Sequence, residues 1–426
     1  MIVTWVTQDN SDGSFVEYGS HSAGAGMDRV AKGEAILFED GGSEKRKFFI
    51  HKVLLTGLIP NTFYVYHVGS DTGRWSDIFF FTSMKEGQDW SPTFAVVGDM
   101  GTINGKSISS LQKEVQKSLF DAVLHVGDFA YDMDVDNSRV GDDYMRQVQS
   151  FAAYVPYMTS PGNHENAYNF SNYKSRFTMP NKYGGDGNAM FYSFDVGPVH
   201  LVSFSSEFYY YVSYGWTQIV EQYKWLIRDL QEANKPSNRA KRPWIISMCH
   251  RPMYCSNSND PEHCPNLENM IRVGLPMNHE YNIEDLLYKY GVDLHFQAHE
   301  HSYERMWPVY NLTVCNGSAE RPYVNPRAPV HIVSGSGGCK EGVDPFIKIP
   351  YPWSAFQSDD YGYTVMKILN KTHLSLDQVS VDKGGAIIDS VMIEKQKHGP
   401  STFDCHKNLK FQYKSGGIKS SNKYFL

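Results

Sequence analysis

The sequence predicts an α+β protein of two unequal parts. Residues 1–83 read as an amino-terminal β-sandwich, 84–92 as a polar linker, 93–395 as an α/β domain of β-sheets layered with helices, and 396–426 as a tail. Three observations carry this. A chain of 426 residues exceeds what one hydrophobic core serves. The first 83 residues alternate short apolar runs with turn signals. From Thr93 onward, apolar strands end repeatedly in polar loops, with helix-periodic stretches between them.

The elements follow in order. MIVTWVTQDN opens as a strand, with Ile2, Thr4 and Val6 on one face and Val3 and Trp5 on the other. FVEYGS, KFFIHKVLL, TFYVYHVGS and RWSDIFFFTS continue as short strands, with turn signals such as DNSDG and DTG between them. LTGLIPNTFYVYHV resembles the fibronectin type III pattern, which implies one more strand ahead of Met1. SMKEGQDWSP is the linker. The strands TFAVV, AVLHV, HLVSFS, PWIISM and VDLHF then alternate with KSISSLQKEVQKSLF, TQIVEQYKWLIRDLQEA and IEDLLYKY, which are apolar at helical spacing. Beyond residue 395 the sequence is Lys- and Ser-rich and aperiodic.

Bulk properties exclude several classes. A hydrophobic content of 41% with 14% aromatics provides cores to bury, which argues against disorder. The net charge is −7, and EKRKFF and NRAKRP read as solvated turns, so no nucleic-acid footprint is present. No apolar run approaches the ~18 residues of a membrane span. The chain opens without a signal peptide, yet carries sequons at Asn169, Asn311, Asn316 and Asn370, which point to a secreted or lysosomal glycoprotein. Six cysteines make neither a dense disulfide scaffold nor a zinc pattern. Cys255 and Cys264 bracket a short loop suited to a disulfide. Cys315 and Cys339 are a second candidate pair, and Cys249 reads as a buried thiol.

The strand ends carry the chemistry. TFAVVGDMG stops at Asp99, AVLHVGDFAYD at Asp128 with Tyr131 three residues on, and SPGNHE offers Asn163 and His164. PWIISMCHRP ends at His250, and VDLHFQAHEHSYER at His299 and His301. Singly, each has an ordinary explanation: Gly-Asp is usually a turn or a helix cap, and a strand-end histidine is usually hydrogen-bonded structure. Together they form two carboxylates, a phenol, an amide and three imidazoles on five strand ends that a parallel-type sheet would bring together. Such oxygen and nitrogen donors suit hard or borderline cations. Seven donors with one shared carboxylate make two four-donor shells. In an extended strand His299 and His301 would face the same way and Glu300 the other.

This series resembles the purple acid phosphatase branch of the metallophosphoesterases, whose five blocks read here GDMG, GDFAY, GNHE, SMCH and AHEH. The larger members also carry a fibronectin-like domain in front. Matched block by block, the resemblance implies that Asp99, Tyr131 and His301 hold a ferric ion. Asn163, His250 and His299 would hold a divalent metal (zinc, iron or manganese), with Asp128 bridging. Two departures stand out: Ala298 where the last block usually has Gly, and Ser247 where the fourth usually has Val.

The resemblance implies an acid phosphatase that hydrolyses small phosphate monoesters with a metal-bound hydroxide as nucleophile. His164 is the first candidate to protonate the leaving alcohol and His263 the second. His295 reads as structural, His125 and Asp132 as groups behind the ligands, and Arg305 as a loop anchor through Glu or backbone partners. A homodimer is a candidate assembly, since larger relatives often dimerise. Two other readings compete: a phosphodiesterase or nucleotidase with two divalent ions, against which Tyr131 argues, and a non-catalytic secreted glycoprotein, against which the complete donor set argues.

Overall fold

The computed structural model describes residues 1–20, 26–259, 263–264 and 266–405. The amino-terminal strands are β1 (Ile2–Thr7), β2 (Phe15–Ser20), β3 (Arg29–Lys32), β4 (Glu34–Glu39), β5 (Lys47–Leu54), β6 (Phe63–Gly69) and β7 (Phe79–Thr82). They form two antiparallel sheets, β1-β5-β4 and β3-β2-β6-β7. Alternation decides the packing: Val16, Tyr18, Val53, Tyr64, Tyr66 and Phe81 point between the sheets into one core.

The remainder contains two large mixed sheets. The first has the order β10-β9-β8-β20-β21-β22, from Tyr157–Ser160, Ala122–Val126, Thr93–Val97, Gly362–Ile368, His373–Ser380 and Ala386–Glu394. Strands β8, β9 and β10 are parallel, while β20, β21 and β22 continue antiparallel. The second has the order β11-β12-β13-β14-β18-β15-β19, from Tyr192–Val196, Val199–Ser203, Trp244–Met248, Leu294–Gln297, Val330–Ser334, Tyr303–Met306 and Ser354–Ser358. Its parallel centre is β12-β13-β14-β18. A small ribbon pairs β16 (Val309–Tyr310) with β17 (Thr313–Val314).

Near-continuous apolar strands bury both faces. Phe94, Val96, Leu124 and Val126 of the first sheet pack against Ile246, Leu294, Phe296 and Ile332 of the second. The opposite faces, with Ala95, Val97, Val123, Val202, Ile245 and Val333, are covered by helices. These are α1 (Ile108–Gln116), α2 (Val135–Ala152), α3 (Ala167–Arg176), α4 (Thr217–Ala233) and α7 (Ile283–Lys289); α5 (Pro236–Arg239) and α6 (Met270–Val273) are single turns. The α+β reading therefore stands. The expectation of strand ends gathered by one parallel-type sheet is corrected, because the donors lie at the ends of strands from two facing sheets.

The sequence did not announce α2 and α3. Both begin with three residues at positive φ, Asp136–Ser138 and Tyr168–Phe170, which interrupt the helical pattern. The α2 kink is where the amino-terminal β-part docks. Asn137 Oδ1 accepts Glu44 N at 3.0 Å, Ser138 Oγ donates to Asp40, and Arg46 pairs with Asp142 at 2.5 Å.

The cysteine expectation divides. Cys255–Cys264 is a disulfide, but Cys315 pairs with Cys405, and Cys339 and Cys249 are buried free thiols. Cys315–Cys339 is therefore wrong. The fold carries Cys339 away to the centre, while residues 396–405, read from sequence as tail, return beside Cys315; Phe403 is buried there. Residues 406–426 lie outside the described residues. Among the described residues no helix is long and apolar enough to cross a membrane.

Candidate metal centre

The carboxyl ends of β8 and β9 turn sharply, because Asp99 (φ 56°), Asp128 (φ 52°) and Tyr131 (φ 57°) adopt left-handed backbone. Such conformations cost energy in non-glycine residues and persist where surrounding contacts impose them. One such contact is Glu165, a residue whose role the sequence reading missed. Its Oε2 accepts Asp128 N at 3.0 Å and Gly162 N at 2.8 Å, while its Oε1 accepts Phe129 N at 3.0 Å. The final residue of GNHE is thus the clamp that shapes the GDFAY loop.

The seven predicted donors converge. Asp99 and Tyr131 are joined with His301: Tyr131 Oη lies 2.8 Å from His301 Nε2 and 3.3 Å from Asp99 Oδ1, and His301 Nε2 is 3.7 Å from the same oxygen. His250 Nε2 lies 3.1 Å from Asp128 Oδ2, 3.0 Å from Asn163 Oδ1 and 3.2 Å from His299 Nδ1. The other nitrogens of His250 and His301 are fixed from behind, as ligand imidazoles would require. His250 Nδ1 donates to Val126 O at 2.9 Å and His301 Nδ1 to Gly342 O at 3.0 Å. Gly127 makes room for His250, since a Cβ there would meet its ring nitrogen at 2.4 Å.

Electrostatics agree with a cation site. Burial pushes the Asp99 carboxyl well above its ordinary range, against the pull of His250. Burial acts the same way on Asp128, but there His250 and His164 prevail and hold the carboxyl low. Burial disfavours the charged His250 ring, yet Asp128 and Asp99 raise it to about 10. Buried carboxylates thus recruit positive charge, and the donor set of carboxylate, phenol, amide and imidazole fits a pair of hard or borderline cations.

The geometry of AHEH differs from the expected extended strand. Strand β14 ends at Gln297, and His299 is left-handed at φ 71°. Its backbone N donates to Asp99 Oδ2 at 3.0 Å, and that contact turns the chain. Glu300 does leave the centre, and its Oε1 lies 4.0 Å from Cys255 Sγ of the disulfide. The Ala298 methyl has room because position 98 is Gly: a Cβ there would sit 2.5 Å from the Ala298 Cβ. Ser247 bonds His295 Nδ1 at 2.8 Å, and burial lowers that ring to about 3, so His295 is a neutral structural group.

His164 lies at the rim with its ring 4.4 Å from Tyr131. Its Nδ1 is 2.8 Å from Asp132 Oδ1, and its Nε2 is 4.0 Å from Asp128 Oδ2 and 3.9 Å from Glu341. Burial works against its charge, but Asp128 and Asp132 raise it to about 9. His263 is buried with its ring 4.7 Å from His299. His125 packs on Phe129 and is held by Tyr157 at 2.5 Å, behind the GDFAY loop. Arg305 anchors its loop through Asp389 (2.7 and 2.8 Å) and Tyr323 (2.6 Å), in place of the expected Glu or backbone partners.

Three family profiles match: "Purple acid Phosphatase, N-terminal domain" over residues 1–83, "Calcineurin-like phosphoesterase" over 92–303, and "Iron/zinc purple acid phosphatase-like protein C" over 328–390. Acid phosphatase type 7 of Danio rerio is 52% identical, covering 95% of this chain and 90% of that protein. The chain belongs to the purple acid phosphatase family. The Homo sapiens acid phosphatase type 7 is 51% identical over 94% of this chain and 89% of its own. The Fe(3+)-Zn(2+) purple acid phosphatase 12 of Arabidopsis thaliana is 30% identical over 92% and 81%. A purple acid phosphatase from yellow lupin (Lupinus luteus) seeds shares the fold, with a TM-score of 0.74 at 24% identity, covering 92% of this chain and 72% of that one. As a member of this family the protein is an acid phosphatase of the metallophosphoesterase type.

Proposed function

We propose that this enzyme hydrolyses small phosphate monoesters in the acid range at a dinuclear centre. In this reading Asp99, Tyr131 and His301 would hold a ferric ion, Asn163, His250 and His299 would hold a divalent ion (zinc, iron or manganese), and Asp128 would be shared between them. The observation that carries it is the contact of Tyr131 Oη with His301 Nε2 at 2.8 Å beside Asp99, a phenol donor that a pair of divalent ions does not call for. When bound, the metal pair supplies Lewis acidity for water and for the phosphate oxygens.

The chain's own residues do the rest. Asp132 holds His164 Nδ1, so the Nε2–H faces Asp128 and the place where the ester oxygen leaves; His164 protonates that oxygen. His263, against the His299 ring, supports the substrate on the divalent side. Two disulfides and the exposed sequon residues Asn311 and Asn370 support a secreted or lysosomal location. The test is metal analysis with p-nitrophenyl phosphate hydrolysis across pH, for wild type and Tyr131→Phe. Two metals per chain, a visible absorption band lost in Tyr131→Phe and acid-range activity are expected. A colourless active wild type with two divalent ions would overturn the ferric assignment.

A further inference from the structure

His263 precedes Cys264 of the disulfide and is 1% exposed. Its Nε2 faces Arg251 Nη1 at 3.2 Å. A guanidinium is a donor only, so Nε2 is the accepting nitrogen and Nδ1 carries the ring proton. Arg251 is itself immobilised. Its Nε donates to Glu207 Oε2 at 2.9 Å and Oε1 at 3.1 Å, its backbone N donates to Ser206 Oγ at 3.0 Å, and its guanidinium lies 4.2 Å from the Tyr210 ring centroid. Glu207 is fully buried, and Ser206 Oγ donates to its Oε1 at 2.8 Å. Tyr210 also packs on His263, with ring centroids 5.2 Å apart. Among the described residues the ring of His263 meets Arg251 and Tyr210, which belong to this buried cluster, and His299, which belongs to the centre.

We infer that the Glu207–Arg251 ion pair is a positioning unit that fixes the tautomer and orientation of His263 beside the His299 half of the centre. It rests on the proposed role of His263 in the phosphatase reaction. A buried ion pair is a costly way to stabilise a fold. Its planar geometry, however, delivers Nη1 to a set point while Nε is held by Glu207, and lysine cannot reproduce that. Arg251 directly follows the ligand His250 in sequence, so a backbone already fixed by the centre also sets the position of the guanidinium.

The test is a double-mutant cycle on the metal-loaded full chain with p-nitrophenyl phosphate. Arg251→Lys keeps the buried charge beside Glu207 and loses the planar arrangement of Nε and Nη1. It is expected to lower kcat by about 10- to 100-fold with two metals retained and KM little changed. In a His263→Ala background, Arg251→Lys is expected to have no further effect, because a positioning residue acts only through the residue that it positions. Glu207→Gln, a second and milder variant, is expected to follow the same pattern. Effects of Arg251→Lys and His263→Ala that multiply, or wild-type kcat in Arg251→Lys, would overturn the inference while leaving His263 in place. Wild-type kcat in His263→Ala would instead remove the role proposed for His263, and the positioning unit with it.

Discussion

The two sheets contribute opposite chemistry to one site. Strands β8, β9 and β10 deliver the oxygen donors Asp99, Asp128, Tyr131 and Asn163, whereas β13 and β14 lead to the imidazoles of His250, His299 and His301. Alone, the first group is a buried concentration of acid and the second a buried concentration of base. Burial disfavours the charged form of both, raising Asp99 and opposing protonation of His250. Only their juxtaposition makes charge tolerable, and it gathers a donor set that suits cations. A catalytic centre of this kind is therefore a property of the interface between the sheets.

The two halves of the site meet at Asp128. Asp128 contacts His250 at 3.1 Å and accepts the backbone N of His164 at 2.9 Å, so it serves both sides. Asp128→Asn is expected to reduce metal content below two per chain and lower kcat/KM by roughly 10³-fold or more. Metal analysis beside steady-state rates reads both, and unchanged activity with fewer than two metals would defeat the ligand assignment. His164→Ala strikes the oxygen-donor side without removing a donor. A loss of about 10²- to 10⁴-fold in kcat with two metals retained is expected. Asp132→Asn, which leaves His164 in place but weakens its hold, is expected to cost about 10- to 100-fold in kcat, and equal rates would show that the 2.8 Å contact does not orient the ring.

A carboxylate–imidazole cluster outside the centre gives a contrast. His200 on the β11–β12 hairpin is pinned by Asp195 of the same hairpin at 2.8 Å and by Asp229 of α4 at 2.9 Å. Burial opposes its charge, but the two carboxylates raise it from 6.5 to about 9. A folded pKa above the unfolded one means that the stabilisation is complete below about pH 6.5 and lost as pH rises through about 9. It is worth roughly 3 kcal/mol. His200→Gln is expected to lower the unfolding free energy by that amount at pH 5 and by much less at pH 10. Urea unfolding at the two pH values reads the difference, and a pH-independent deficit would assign the loss to packing.

The chemical kind of each donor and its place after an apolar strand are local properties of the amino-acid sequence. Alternating runs such as TFAVV and AVLHV, and the turns that end them, are local, so Asp99, Asp128, Asn163, His250, His299 and His301 were legible without coordinates. Tyr131 was legible only as part of a set. The rest depends on contacts between distant residues and emerges only on folding. Nothing local marks Cys405 as the partner of Cys315, 90 residues away, or Glu207 as the partner of Arg251. The sequence likewise could not say that GDMG and AHEH end strands of different sheets. The left-handed turn at His299 exists because its backbone N reaches Asp99, 200 residues away in sequence, and Ala298 fits because the residue that it meets is Gly98. Local periodicity specifies elements and their ends, whereas packing specifies which ends meet.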